Sequence, residues 1–85
     1  MSYAVHWTQK SLRQLAATWL AAGDRNAVTA ASHKLEQFLA NDPYRRGIAR
    51  NSSINRTAIE LPLGIDYEII EDDKKVRILR VWSII

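Results

Sequence analysis

Arginine is concentrated in one stretch of this chain. Residues 43–59 contain no acidic residue and include Arg45, Arg46, Arg50 and Arg56. Guanidinium groups bind phosphate and carboxylate groups, and a local excess of positive charge raises the concentration of anions around it. The stretch therefore predicts a surface for nucleic acid or for an acidic partner. A solvated basic loop without a ligand is the alternative interpretation.

Few other residues indicate a reactive site. His6 and His33 are isolated and lack the spacing of metal ligands, so we interpret them as structural histidines. Asp66 and Glu68 lie two residues apart on the polar side of a predicted hairpin, where solvation explains them. Arg80 lies on the last predicted strand, where it faces a ligand or pairs with an acid across the sheet.

Composition narrows the functional classes further. The 85 residues form one domain, 1–85, with a net charge of +3 and no cysteine, which excludes disulfides and thiolate chemistry. No phosphate-binding glycine loop, nucleophile elbow or zinc signature occurs, so we expect neither a metal nor a cofactor. The chain has no signal-peptide pattern and no apolar run near the ~20 residues of a membrane span. These features predict a soluble cytoplasmic protein.

Two amphipathic helices are predicted in the first half of the chain. Thr8 and Asp24 are suitable N-cap residues, and apolar residues follow each of them at helical spacing. Gly23 separates the two helices, so we expect an antiparallel hairpin. The residues predicted to be buried against a sheet are Leu12, Leu15, Trp19, Leu35, Phe38 and Leu39.

Strands are predicted on both sides of this hairpin. They lie near residues 3–7, 54–61, 65–71 and 76–84, with a loop over 44–53. Pro62 and Gly64 predict a type I turn between the second and third strands. The last strand is apolar on both faces, which predicts an interior place in the sheet. We expect a two-layer α+β domain, β-α-α-β-β-β, in which the helical hairpin covers one face of an antiparallel sheet.

Several short motifs accompany this order of elements: Trp7-Thr8, Asp42-Pro43, the basic loop, Leu61-Pro62-Leu63-Gly64, Tyr67-Glu68-Ile69, the Asp-rich turn and the strand from Val76 to Trp82. With these motifs the chain resembles, over nearly its whole length, the RelE/ParE superfamily of toxins from type II toxin–antitoxin pairs. The resemblance implies that the first strand lies beside the last, and that the sheet face opposite the helices engages the target.

The resemblance also implies a function. RelE-like members cleave messenger RNA in the ribosome, whereas ParE-like members inhibit DNA gyrase, and an antitoxin restrains both. Arg56 stands where RelE-like toxins have a basic residue facing RNA, and Arg80 is the strand arginine considered above as ligand-facing. These two arginines are the candidate catalytic residues. Gly64 replaces an expected arginine, and Ser83-Ile84-Ile85 follows Trp82 in place of a terminal arginine and tyrosine. We therefore expect a toxin without strong ribonuclease chemistry.

The end of the chain is apolar. Trp82, Ile84 and Ile85 are costly to leave in water, so we expect them to contact an antitoxin, a second copy of the chain or the protein target. Two alternatives to a toxin remain open. One is a non-toxic protein-interaction module of the same fold, and the other is an RNA-binding domain with little or no catalytic activity.

Overall fold

The computed structural model describes residues 2–45, 47–49 and 55–84. In that part of the chain neither helix is long and apolar enough to cross a membrane. The elements in chain order are β1 Ala4–Trp7, α1 Gln9–Ala21, α2 Arg25–Asn41, β2 Ile48–Ala49, β3 Asn55–Glu60, β4 Leu63–Ile70 and β5 Lys75–Ser83.

The strands form one five-stranded sheet with the order β1-β5-β4-β3-β2. The predicted position of the first strand beside the last is confirmed, as is the interior position of the last strand. The sheet is mixed, however, because β1 pairs with β5 in parallel. Short turns force β3, β4 and β5 to be antiparallel, whereas β1 is separated from β5 by both helices and its direction is not fixed by a turn.

One short strand was missed by the sequence pattern. Residues 48 and 49 lie in the predicted loop, yet they pair with β3, Ile48 opposite Thr57 and Ala49 opposite Arg56. Two residues are too few to show an alternating pattern. This pairing makes β2 the edge of the sheet and joins the basic stretch to β3.

The core lies between α2 and one face of the sheet. Leu35 and Leu39 are fully buried, as predicted, and they pack with the sheet residues Leu63, Ile65, Tyr67, Ile69, Val76 and Ile78. Phe38 is half-buried and meets Tyr67 edge to face, with 6.1 Å between the ring centroids. The predicted covering of the sheet by the helical hairpin is confirmed.

The orientation of α1 differs from the prediction. Leu15 is half-buried against the core, but Leu12 is 50% exposed and Trp19 is 39% exposed. The helix instead turns smaller or polar residues toward β5: Ser11 is fully buried, and the Gln14 side-chain oxygen accepts a 2.9 Å hydrogen bond from the backbone N–H of Val81. The apolar stripe of α1 is offset from the side of the helix that carries Ser11 and Gln14, so part of the stripe stays on the surface.

The turn between β3 and β4 also lies earlier than predicted. Glu60 pairs with Leu63, so the connecting residues are Leu61 and Pro62, joined by a cis peptide bond. Gly64 is therefore a strand residue, opposite Trp82 on β5. The indole of Trp82 covers it, and a Cβ at position 64 would lie 2.6–2.7 Å from atoms of that ring.

We expect Gly64→Ala to destabilise the fold by about 1–3 kcal/mol, because the indole of Trp82 must move to admit the methyl group. Gly23→Ala is the matched control, since a Cβ at position 23 meets no atom within 4 Å. Urea denaturation of the two variants measures the effect. Equal free energies of unfolding would contradict the packing described for Trp82.

Candidate functional site

No helix or strand of the described residues covers the sheet face opposite the helices, and the residues of this face follow from the strand register. Residues directly opposite each other on paired strands share a face. One row across four strands contains His6, Arg77, Glu68 and Asn55. The next row contains Arg80, Asp66, Thr57 and Ile48, and a third contains Trp82, Gly64 and Ile59. We call these residues the open face.

The arginines of the open face are paired with acids. Arg80 lies 3.4 Å from Asp66, whose other carboxylate oxygen accepts a 2.7 Å hydrogen bond from the Thr57 hydroxyl. Arg77 lies 3.2 Å from Glu68. Exposed pairs of this kind contribute only about 0–1 kcal/mol, so a phosphate or a partner carboxylate can replace the internal acid. The open face therefore presents cations that are already positioned.

A bulge shapes the centre of this face. Asp66 is opposite Arg80 and Tyr67 is opposite Ile78, so Leu79 is an extra residue on β5. Leu79, Arg80 and Asp66 line a shallow polar cavity of about 630 Å³. Bulges often redirect side chains next to functional sites. Here the bulge brings the pair formed by Arg80 and Asp66 to the rim of a cavity.

The indole of Trp82 lies beside this cavity. The Arg80 guanidinium is 5.5 Å from the centroid of the Trp82 ring, within the range of a cation–π contact. Beyond it, the backbone N–H of Ile84 donates a 2.8 Å hydrogen bond to the Pro62 carbonyl, and the Ile84 side chain is exposed. The predicted apolar tail thus begins on the open face, and its last residue, Ile85, lies outside the described residues.

Arg56 lies on the other face of the sheet. It is opposite the fully buried Tyr67, on the side of the helices. Its Nη2 donates hydrogen bonds to the carbonyls of Tyr44, at 3.3 Å, and Gly47, at 3.0 Å. By the strand register, the side chains of the two candidate catalytic residues, Arg56 and Arg80, therefore extend from opposite faces of the sheet, although both residues line the polar cavity.

The basic stretch is only partly described. Arg45 is exposed, and its backbone N–H donates to the Asp42 carbonyl at 3.2 Å. Arg46 and Arg50 lie outside the described residues. The single positive surface expected for these three arginines and Arg56 remains a prediction.

A polar cluster that the sequence analysis missed connects three distant segments. Glu71 accepts hydrogen bonds from the hydroxyls of Tyr3 and Tyr44, both at 2.9 Å, and forms an ion pair with Lys74. The bonds from Lys74, Tyr3 and Tyr44 hold the pKa of the Glu71 carboxyl below its ordinary value. The same contact with Glu71 raises the pKa of Lys74. We call these four residues the Glu71 cluster.

The Glu71 cluster makes the stability of the fold depend on pH. The pKa of Glu71 is lower in the folded chain than its ordinary value of 4.5, so the cluster stabilises the fold above that pH and loses this effect in acid. We expect Glu71→Gln to lower the melting temperature at pH 7, and the difference from wild type to vanish well below pH 4.5. Asp73→Asn, in the same turn, is the control. A difference that persists unchanged in acid would contradict a role for the charge.

The helical hairpin carries an apolar groove on its outer surface. It is lined by Leu12, Leu15, Ala16, Trp19, Leu20, Val28, Thr29 and Ser32, and its volume is about 480 Å³. The Arg25 guanidinium lies 4.7 Å from the centroid of the Trp19 ring and donates hydrogen bonds to the carbonyls of Trp19 and Leu20. The indole is thereby fixed in the groove. We call this surface the helical groove.

A second apolar hollow continues from the helical groove toward the tail. Val28 lines both cavities, and Leu61, Pro62 and Ser83 line the end of the second hollow that lies away from the helical groove. Leu61 is largely exposed. Apolar surface thus extends from α1, past the connection between the helices, to the residue that precedes Ile84. Large exposed apolar patches on soluble proteins commonly mark partner sites.

The histidines and the remaining acids do not form a metal site. His6 is exposed on the open face, whereas His33 is exposed on α2, in the other layer. Within the described part of the chain, no three His, Cys, Asp or Glu residues are grouped closely enough to hold a metal ion.

Comparison with solved structures identifies the fold. No protein-family model matches the chain, and no curated protein matches its sequence significantly. A chain of the toxin–antitoxin complex RelBE2 from Mycobacterium tuberculosis superposes with a TM-score of 0.78 at 22% identity, covering 98% of this chain and 99% of that one. A chain of the chromosomal ParDE system from Pseudomonas aeruginosa gives 0.71 at 19% identity, with 99% and 98% covered. A chain of the E. coli RelBE complex gives 0.70 at 15% identity, with 96% of each covered. The expected RelE/ParE-like fold is confirmed.

Proposed function

We propose that this chain is the toxin of a type II toxin–antitoxin pair, acting in the cytoplasm on translation or on DNA gyrase. The observation that carries the proposal is the fold, which matches chains of RelBE and ParDE systems over almost their whole length. The open face supports it further, because it presents positioned arginine side chains to a target.

The target-binding surface is assigned to the basic stretch and the open face. Arg45, Arg46, Arg50 and Arg56 belong to this surface by the charge of their segment, and Arg80 remains the candidate for contact with a reacting phosphate. Arg80 suits that task because it is exposed at the rim of the polar cavity and its exposed ion pair exchanges easily.

The antitoxin is assigned to the helical groove and the adjoining tail. α1 carries Lys10 and Arg13 and no acidic residue. An amphipathic helix with acidic flanks therefore complements this surface in both hydrophobicity and charge. Ser83 lines the second hollow, and its neighbours Trp82 and Ile84 begin the apolar tail. We include Trp82, Ile84 and Ile85 in the antitoxin-binding surface by their apolar character.

We expect the chain to act by binding more than by cutting RNA. Cleavage needs phosphate neutralisation and a proton shuttle, and the shuttle typically contributes about 10²- to 10⁴-fold. Tyr67 is buried on the side of the helices, where its hydroxyl donates to the Pro43 carbonyl, and His33 is on α2. His6 is exposed on the open face, but it lies on the edge strand β1 opposite Arg77 and not opposite Arg80. Purified protein added to translating ribosomes is expected to leave messenger RNA intact. Rapid, codon-positioned cutting that Arg80→Ala abolishes would contradict this.

Pulse labelling after induced expression in bacteria tests the proposed function. Inhibition of translation lowers incorporation of labelled methionine first, whereas inhibition of gyrase lowers thymidine incorporation and relaxes plasmid DNA. Either result supports a toxin and identifies its target class. Normal incorporation of both labels in cells that contain the folded protein would contradict the proposal.

The ion pairs on the open face also favour a second candidate. If Arg77 and Arg80 stay engaged with Glu68 and Asp66, the fold serves as a non-toxic module that only binds a protein partner. Asp66→Asn together with Glu68→Gln frees both arginines. Toxicity that appears only in this double variant would favour the module over the toxin.

A further inference from the structure

We propose that Arg56 and Glu71 are positioning residues that fix the chain at Tyr44 and Gly47, so that Arg45 meets the phosphates of single-stranded RNA from a fixed backbone position. We call the described residues here, 43–45 and 47–49, the anchored segment. The inference rests on the proposed function. It changes the role expected of Arg56 from direct contact with a ligand to support of the segment that makes the contact.

The first end of the anchored segment is attached to the sheet by Tyr67. The Tyr67 side chain is fully buried, and its hydroxyl donates a 2.8 Å hydrogen bond to the Pro43 carbonyl. Pro43 is itself fully buried. A buried bond of this kind leaves the segment little freedom where it departs from α2.

Arg56 holds the middle of the anchored segment. One nitrogen of its guanidinium donates to the carbonyls of Tyr44 and Gly47, three residues apart. Hydrogen bonds from a charged donor are stronger than neutral ones. Because the guanidinium bonds to the backbone on both sides of Arg45, it fixes the position of the Arg45 backbone.

Gly47 allows the close approach that this arrangement needs. Its φ is +85°, and a Cβ there would lie 2.7 Å from the Tyr67 hydroxyl and 2.9 Å from the Thr57 carbonyl oxygen. The next residue, Ile48, pairs with Thr57 in the sheet. The far end of the anchored segment is therefore packed directly on β3.

Glu71 fixes the exposed side of the anchored segment. The Tyr44 hydroxyl donates to Glu71, which is also held by Tyr3 and Lys74. An acid beside a basic stretch weakens anion binding by simple electrostatics. Its presence is explained if it serves to hold Tyr44, since ordering the segment in advance lowers the entropy cost of binding.

The electrostatic effect of Glu71 and its positioning effect predict opposite changes in RNA binding, which can be measured with fluorescein-labelled oligouridylate as the probe. Glu71→Gln makes the chain more positive, so electrostatics alone predicts tighter RNA binding. A positioning role predicts weaker binding, by about three- to tenfold, the effect of one lost hydrogen bond. Glu36→Gln on α2 makes the same charge change away from the segment. Tyr44→Phe removes the bond without changing any charge and is expected to weaken binding to a similar degree.

Fluorescence anisotropy at two salt concentrations measures binding, and thermal unfolding shows that each variant is folded at the assay temperature. Weaker binding by both Glu71→Gln and Tyr44→Phe, with Glu36→Gln at or above wild type, supports the proposal. Binding of Glu71→Gln at or above the wild-type level overturns it, as does a wild-type chain that does not bind the probe. Growth arrest on expression is scored separately. Arrest without RNA binding overturns this inference but not the proposed toxin function. RNA binding without arrest overturns the proposed toxin function but not this inference.

Discussion

We expect Leu12→Asp combined with Trp19→Asp to abolish restraint by the antitoxin while growth arrest persists. Both side chains are exposed in the helical groove, so their replacement removes apolar contact without opening the core. An anchor residue at the centre of an interface contributes about 2 kcal/mol or more, roughly a 30-fold change in affinity. A carboxylate in the groove also repels the acidic partner helix that the proposal requires.

Gln37→Asp is the control for this prediction, because Gln37 is exposed on α2 outside the groove. We expect the antitoxin to be encoded by the neighbouring gene. Isothermal titration calorimetry of each variant with the product of that gene gives the change in affinity. An unchanged dissociation constant for the double variant would show that the antitoxin binds elsewhere.

We expect truncation after Val81 to abolish partner binding and to leave a weakened but recognisable fold. It removes the indole that covers Gly64 and the hydrogen bond from Ile84 to Pro62. Loss of a half-buried tryptophan costs about 2 kcal/mol, a large share of the stability of so small a domain. Thermal unfolding and the same calorimetric titration measure the two effects.

Ile84→Asp separates binding from stability at this end of the chain. The Ile84 side chain is exposed, so we expect normal unfolding and weak partner binding. If the truncated chain and Ile84→Asp both bind the partner fully, the apolar tail has no part in the interface.

The local elements of this fold were predictable because their signals are local. Thr8 and Asp24 cap the two helices as expected: the Thr8 hydroxyl accepts from the Ser11 N–H at 3.1 Å, and the Asp24 carboxylate accepts from the Ala27 N–H at 3.0 Å. Each cap depends on residues three apart in sequence.

The errors concern contacts between distant residues. The exposure of Leu12 depends on which side of α1 meets β5, and a wide apolar stripe does not determine that rotation. Gly64 was assigned to a turn because proline and glycine lie close together, yet the contact that requires glycine comes from Trp82 on another strand. These positions depend on tertiary packing, which the periodicity of one segment does not contain.

For the candidate site, the sequence supplies residue types but not their arrangement. The arginines were identified from their charge, but a shift of one residue in strand register moves a side chain to the other face. Arg56 and Arg80 were both named as catalytic candidates, and the sequence could not show that their side chains extend from opposite faces of the sheet. The Glu71 cluster left no sequence signal, because Tyr3, Tyr44 and Glu71 come from three separate segments.

Colony counts after induced expression, with and without the neighbouring gene, test the toxin–antitoxin proposal most directly. We predict that the wild-type chain alone sharply lowers the number of colonies, and that co-expression of the neighbouring gene restores it. The Leu12→Asp, Trp19→Asp chain should lower the count in both conditions. Full colony numbers from cells that accumulate the folded wild-type chain alone would contradict the proposal.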